Sequence, residues 1–195
     1  MKRNVLLVLL ACGLPCLAGN GTQPQVTRRT LASAQGIQGY PCAKGYAWFY
    51  ADGRLNQCTV SRDAAFGEAT VPEGSIIVLR PDGKPHHVFL SRDADIAGYR
   101  AMGGGLLGTA EGPVTAFYPS GKPKSIYLVG NQIVQGVPCR GGQWGIVTDP
   151  IGGGNAIVLY ENGKLHGCKL TKDFDGVRRG QRIVRPPSQS QRIVH

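Results

Sequence analysis

The sequence predicts an all-β protein in which antiparallel β-hairpin repeats stack into an extended or curled sheet. Three observations point there. A short string built around a turn occurs four times, as Ala51-Asp52-Gly53-Arg54, Pro81-Asp82-Gly83-Lys84, Pro119-Ser120-Gly121-Lys122 and Glu161-Asn162-Gly163-Lys164. Self-similarity at a spacing of roughly 30 to 40 residues marks a stacked repeat. Apolar residues flank each turn on both sides, and the chain has 29 Gly with many turn pairs and few helical periodicities, which favours strands.

The turns set a register. Pro81 and Pro119 hold the first loop position near φ of about −65°, which excludes a type I′ turn because that needs positive φ at both central residues. A type I turn closed by a bulge remains, with Gly53, Gly83, Gly121 and Gly163 in the left-handed position. Tyr50 then pairs with Arg54, Arg80 with Lys84, Tyr118 with Lys122, and Tyr160 with Lys164. The next rung pairs Phe49 with Leu55, Leu79 with Pro85, Phe117 with Pro123 and Leu159 with Leu165, an apolar core rung in every copy. Continued without interruption, the same register pairs Tyr46 with Cys58, Ile76 with Val88, Val114 with Ile126 and Ala156 with Cys168 on the opposite face. Each hairpin is therefore expected to be covered on one face near its tip and on the other near its base. Pro85 and Pro123 cannot donate to a ladder, so their nitrogens should point away from the partner strand.

A polar stop follows each second strand: Ser61-Arg62-Asp63, Ser91-Arg92-Asp93, Val129-Gly130-Asn131 and Thr171-Lys172-Asp173. One carboxylate per unit is far short of the six to eight oxygens a calcium site takes, so these are read as turns closed by their side chains. A second echo precedes two of the hairpins. Ile37-Gln38-Gly39-Tyr40-Pro41-Cys42 returns as Val134-Gln135-Gly136-Val137-Pro138-Cys139, with Ile96-Ala97-Gly98-Tyr99 a fainter copy.

The ends read differently. Met1-Lys2-Arg3, the apolar run from Val5 to Ala11 and a small-residue exit at Ala18 form a secretory signal peptide over residues 1–18, too short for a permanent span. Leu9-Leu10-Ala11-Cys12 loosely resembles a lipobox, which keeps a lipid anchor on Cys12 as the alternative. A periplasmic or secreted location is expected. Residues 19–36 read as a flexible polar linker, 37–175 as the repeat domain and 176–195 as a basic disordered tail. The net charge of +10 belongs largely to these ends, because 13 Lys and Arg face 12 Asp and Glu between Ile37 and Asp175. No specific nucleic-acid partner is expected, whereas a basic tail would be drawn to anionic surfaces in a salt-sensitive way.

Four cysteines remain after the leader: Cys42, Cys58, Cys139 and Cys168. An even count in an exported chain suggests disulfides, and four cysteines allow three pairings. Cys42 with Cys58 and Cys139 with Cys168 are favoured because each pair lies inside one unit. The alternative is buried thiols, since Cys58 and Cys168 fill the slot of Val88 and Ile126. His86 and His166 occupy equivalent positions, but two hairpin widths put about 20 Å between them at roughly 4.8 Å per strand, so no metal site is expected. No nucleophile is matched to a His and an acid by a local pattern, and no helix follows the Gly103–Gly105 or Gly152–Gly154 runs to cradle a phosphate. Neither an enzyme nor a bound cofactor is expected. Tyr50, Tyr118 and Tyr160 fall at one slot with Trp48 nearby and Arg54, Lys122 and Lys164 adjacent. Rings beside cations suit sugar rings or aromatic side chains; equally, each Tyr can lie over its own Arg or Lys as cross-strand support.

The turn string, two apolar or aromatic residues, then Asn, Asp or Ser before Gly, then Lys or Arg and Leu or Pro, resembles the MORN-repeat variant of bacterial proteins labelled YwqK-type antitoxins. Glu161-Asn162-Gly163-Lys164-Leu165 is the closest match and Ala51-Asp52-Gly53-Arg54-Leu55 the next. The resemblance covers about 15 residues per unit. It implies hairpin repeats and an interaction role, with no catalytic residues. The function expected is an exported noncatalytic module that binds an envelope protein or a cell-wall polymer; the alternative is a periplasmic immunity or toxin-neutralising protein.

Overall fold

The computed structural model describes residues 25–104, 113–142 and 156–187. The expected leader, Cys12 and the Gly152–Gly154 run lie outside these residues. Within them the protein is all-β, with no helix. Ten strands lie side by side in one open antiparallel sheet: β1 (Val26–Leu31), β3 (Tyr40–Tyr50), β4 (Leu55–Val60), β7 (Ile76–Leu79), β8 (Pro85–Phe89), β11 (Val114–Phe117), β12 (Pro123–Tyr127), β15 (Ala156–Leu159), β16 (Leu165–Lys169) and β17 (Arg182–Val184). A further strand, β2 (Gln35–Ile37), pairs with the start of β3. Three two-stranded hairpins complete the set: β5 (Ala64–Phe66) with β6 (Ala69–Val71), β9 (Ala94–Ile96) with β10 (Tyr99–Ala101), and β13 (Gln132–Val134) with β14 (Val137–Cys139).

The four large hairpins turn as their sequences dictate. Gly53, Gly83, Gly121 and Gly163 have φ of 83°, 81°, 89° and 80°. Their N–H groups donate to Tyr50, Arg80, Tyr118 and Tyr160 at 2.9 Å in every copy. This is the type I turn with a glycine bulge, and the core rung next to it pairs as expected, from Phe49 with Leu55 to Leu159 with Leu165.

One rung further the register departs from the uninterrupted ladder. Trp48 pairs with Gln57, Val78 with His87, Ala116 with Ser125 and Val158 with Gly167, so one extra residue is accommodated in each second strand. That residue is Asn56, His86, Lys124 or His166. The bulge moves the partners of Cys58 and Val88 to Ala47 and Ile77, in place of Tyr46 and Ile76. It also reverses which face the base of the strand presents, because a one-residue slip flips every later side chain. Leu55, Cys58 and Val60 are thus all buried on one side, as are Leu165, Cys168 and Leu170. The core lies on a single face of the sheet, where two differently covered faces had been expected.

The small hairpins cover that face. Phe66 meets Phe117 edge-on with ring centroids 5.1 Å apart, and Glu68 donates its N–H to the Gly121 carbonyl at 2.9 Å. The approach is close enough that a Cβ on Gly67 would fall onto the Gly121 carbonyl. Phe66, Val71, Ile96, Val134 and Val137 add fully buried side chains to the shared core. The Gln-Gly echo forms two-residue turns with both central residues at positive φ: Gln38 and Gly39 at 51° and 85°, Gln135 and Gly136 at 48° and 82°, and Ala97 and Gly98 at 55° and 79°. Such type I′ turns match the twist of the strands they join.

Three recurring acids and, in the third unit, Asn131 close the stops between the layers. Asp63 Oδ1 accepts the Glu73 N–H at 2.8 Å, Asp93 that of Gly103 at 3.0 Å, Asn131 that of Gly141 at 3.2 Å and Asp173 that of Arg179 at 2.7 Å. Both expected disulfides are present, Cys42–Cys58 and Cys139–Cys168. Each sulfur pair is buried in the core; Cys139–Cys168 ties the β13–β14 hairpin to the large hairpin of its unit, and Cys42–Cys58 ties β4 to the start of β3, where β2 pairs.

Both ends depart from expectation. Strand β1 falls in the segment read as a flexible linker and pairs with β3 along six residues. Strand β17 falls in the segment read as a disordered tail and pairs with β16. A row of unpaired N–H and C=O groups at each end of the array is what draws these segments in, since terminal repeats need a cap.

Candidate functional site

The face of the large sheet turned away from the small hairpins is the candidate site. One rung crosses all ten strands: Arg28, Trp48, Gln57, Val78 and His87 in one half, then Ala116, Ser125, Val158, Gly167 and Val184 in the other. At about 4.8 Å per strand this rung is about 43 Å long. On one side of it lie the bulge residues and the tyrosine slot. On the other lie Tyr46, Thr59, Ile76, Phe89, Tyr127 and Lys169. No Asp or Glu occurs in any strand of this sheet, whereas Arg and Lys do. The acids of the described residues sit in turns, stops and small hairpins, and the three ion pairs Arg54–Asp52, Lys84–Asp82 and Arg92–Asp63 lie there too.

The tyrosine slot is a ladder between hairpins. Tyr50 donates its hydroxyl to the Leu79 carbonyl at 2.6 Å, Tyr118 to Leu159 at 2.9 Å and Tyr160 to Arg185 at 2.7 Å. Arg80 fills the slot in the second unit, and its guanidinium donates to the Phe117 carbonyl at 3.0 Å. Tyr50, Arg80 and Tyr118 thereby reach the next hairpin, and Tyr160 reaches the end of the capping strand β17. The expected support by a facing Arg or Lys takes another form, because the bulge residue lies beside the ring. Asn56 donates to the Tyr50 hydroxyl at 2.8 Å, Lys124 Nζ lies 5.7 Å from the Tyr118 ring centre, and the His166 and Tyr160 rings are 4.7 Å apart.

The seven residues read as a binding strip are therefore divided. Tyr50 is buried, while Tyr118, Tyr160 and Trp48 are partly exposed on the outer face. Arg54 is held in its own turn by Asp52, whose carboxyl it pulls below the usual range, and Lys122 and Lys164 belong to the turns. Asn56, His86, Lys124 and His166 take the places beside the ladder that sequence reasoning gave to Arg54, Lys122 and Lys164. Their signal was present: three stand in an apolar-polar-polar-apolar string, as in Leu55-Asn56-Gln57-Cys58, and the fourth has Gly in place of the second polar residue, Leu165-His166-Gly167-Cys168, which breaks the alternation of a regular strand.

The expected linker and tail contribute cations to fixed places. Arg28 lies 4.4 Å from the centre of the Tyr46 ring, which is 54% exposed, and Tyr46 meets Trp48 edge-on at 6.4 Å. Arg185 donates its N–H to the His166 carbonyl at 2.7 Å. At the middle of the face the Nδ1 atoms of His86 and His87 are 3.2 Å apart. Burial, then the neighbouring His86 and Arg80, push His87 down to about 4, and burial with Arg80 and Lys124 lowers His86. Among the described residues no group of three or more His, Cys, Asp or Glu is placed to hold a metal. No family model, curated protein or solved structure matches the chain.

Proposed function

We propose that this protein is an exported, noncatalytic binding module of the cell envelope or the extracellular space, and that its partner lies on the outer face of the large sheet. The observation that carries the reading is the asymmetry of that sheet. One face is sealed by the small hairpins around a core of fully buried side chains, while the other presents partly exposed rings, amides and cations without an acid. A continuous face of partly exposed rings with no acid in its strands is what a binding surface calls for, which is what supports this reading. The two disulfides are compatible with an oxidising compartment outside the cytoplasm.

An envelope protein and a cell-wall polymer both fit this reading. The test is sedimentation of the purified protein with an isolated envelope fraction, comparing the native sequence with Trp48→Ala. Loss of sedimentation in the variant is expected; equal sedimentation removes the face from consideration. Turnover of an envelope polymer that one point substitution abolishes would overturn the noncatalytic part. A toxin-neutralising role is the second reading, favoured by the MORN-like turn string, whose four copies share one turn geometry. A stoichiometric complex with a toxic protein, formed through the tips at Gly53 and Gly163, would establish it.

A further inference from the structure

We infer that the outer face binds a linear acidic polysaccharide, a chain carrying carboxylates at intervals along neutral, hydroxyl-rich rings. This rests on the reading of that face as the binding surface and specifies its ligand. Three features select the ligand class.

The first is charge. The ten strands of the face carry no carboxylate, the acids near it lying in the tip turns, as Glu161 does beside Tyr118, and its cations are spread across it: Arg28 at one edge, Lys124 near the centre and Lys169 towards the other edge. Their density is low. Duplex DNA carries one charge per about 1.7 Å, or roughly 25 along a 43 Å rung, and a few widely spaced cations do not match that. They do match a polymer with occasional carboxylates.

The second is chemistry between the charges. Trp48, Tyr46 and Phe89 are at least partly exposed on the face, and such rings stack on the apolar faces of sugars. Gln57, Thr59 and Ser125 stand in the adjoining strands with amide and hydroxyl groups that can both donate and accept. Sugar hydroxyls require that pairing, and a lipid surface does not.

The third is shape. The face is a continuous rung across strands with the same backbone pairing in every hairpin, so its separate polar, aromatic and cationic contacts are strung out along one direction. An extended polymer engages such contacts together and gains by multivalency.

The experiment is calorimetric titration of the full chain with a hyaluronan oligomer, whose uronate rings alternate with neutral ones, with a neutral glucan oligomer of similar length as control. Binding of the acidic oligomer that weakens with added salt is expected, with the neutral one at least about tenfold weaker. Lys124→Glu with Lys169→Glu should reduce affinity by about tenfold or more, and Trp48→Ala by about fivefold. Lys84→Glu with Arg92→Glu changes the net charge equally but lies in turns off the face, and should leave affinity within about twofold. Unchanged thermal unfolding of each variant shows that it has folded. Equal loss in both charge pairs means attraction by net charge alone and overturns the inference, as does equal affinity for the neutral oligomer. No binding of the hyaluronan oligomer, with sedimentation on envelope still dependent on Trp48, overturns the polysaccharide and leaves the face as the binding surface. Loss of both dependences overturns the two together.

Discussion

The side-chain oxygen of Gln135 accepts the backbone N–H of Leu165 at 3.0 Å, and its amide donates to the Gly163 carbonyl at 2.9 Å. In the first unit Gln38 accepts the N–H of Leu55 at 3.1 Å. The bulge turns the N–H of this position away from the partner strand, so an outside acceptor is needed. In the second and third units the same position is Pro85 or Pro123, which has no N–H to satisfy. Two solutions to one orphan donor thus divide the array, Gln in the two outer units and Pro in the two inner ones, and the units using Gln are also those with a disulfide.

This relationship predicts a coupling. Gln135→Ala should cost about 1 to 2 kcal/mol, since it strands the N–H of a buried residue. In a Leu165→Pro background the donor is gone, and the same substitution should cost about 1 kcal/mol less. Leu165→Pro will itself lose packing, which the double-mutant cycle subtracts. Urea unfolding of the four proteins checks it, and additive costs would show that the N–H is satisfied in some other way.

The tyrosine ladder makes the second prediction. Tyr118→Phe keeps the ring and removes one hydrogen bond to Leu159, so it should cost about 0.5 to 1.5 kcal/mol. Tyr50→Phe should cost more, because that hydroxyl is buried and also accepts from Asn56. Neither should alter ligand affinity as Trp48→Ala does. A Tyr118→Phe protein that unfolds at the native urea midpoint but has lost its ligand would make the hydroxyl a binding group.

How far the sequence disclosed this arrangement follows from the range of the interactions. The turns, the glycine positions and the first core rung are local, and Pro81 with Pro119 is enough to exclude the competing turn. The cysteine pairing follows from the same units. The bulge at Asn56, His86, Lys124 and His166 is also local, but two adjacent polar residues in a short strand read equally well as alternation between two half-covered faces, and that ambiguity carried the register one residue off. The ladder from Tyr50 to Leu79 spans 29 residues and from Tyr118 to Leu159 spans 41; nothing in either sequence neighbourhood names its acceptor. The capping strands were illegible for another reason. Val26–Leu31 is polar over most of its length, with five of six residues exposed, and it pairs because a sheet edge is there to meet it.

The disulfides lead to a third prediction. They close chain separations of 16 and 29 residues, so replacing Cys42 and Cys58 by Ala should cost about 3 kcal/mol and replacing Cys139 and Cys168 about 3.5 kcal/mol on the loop-entropy scale. Cys42–Cys58 holds the start of β3 where β2 pairs, and Cys139–Cys168 anchors the β13–β14 hairpin, so the loss should appear as earlier exposure of amides in β2 and β14, respectively, than in the central β8 and β11. Hydrogen exchange of each double variant measures this. Uniform loss of protection across the sheet would mean that the links stabilise the array as one unit.

The fourth prediction concerns pH. The folded state holds His87 at about 4, below the ordinary value near 6.5, through burial and the adjacent His86 and Arg80. Between these values the unfolded chain binds the proton that the folded chain refuses, so stability rises with pH in this window. The contribution is fully present above about 6.5 and is lost as pH falls through about 4. A shift of this size on a partly exposed ring corresponds to about 1 to 2 kcal/mol after solvent screening. His86 shifts the same way and adds to the slope. His87→Gln should flatten the stability profile between pH 6.5 and 4 by about one proton's worth of slope while leaving stability above pH 7 nearly unchanged. Thermal unfolding across this range decides it: an unflattened profile would assign the pH dependence to other groups, the carboxylates of the turns foremost among them. Proton uptake at His87 would also add a cation to the middle of the acid-free face. Acidic oligomers should therefore bind the native protein more tightly as pH falls towards 4, for as long as it stays folded and their carboxylates stay ionised, and His87→Gln should lose most of that gain.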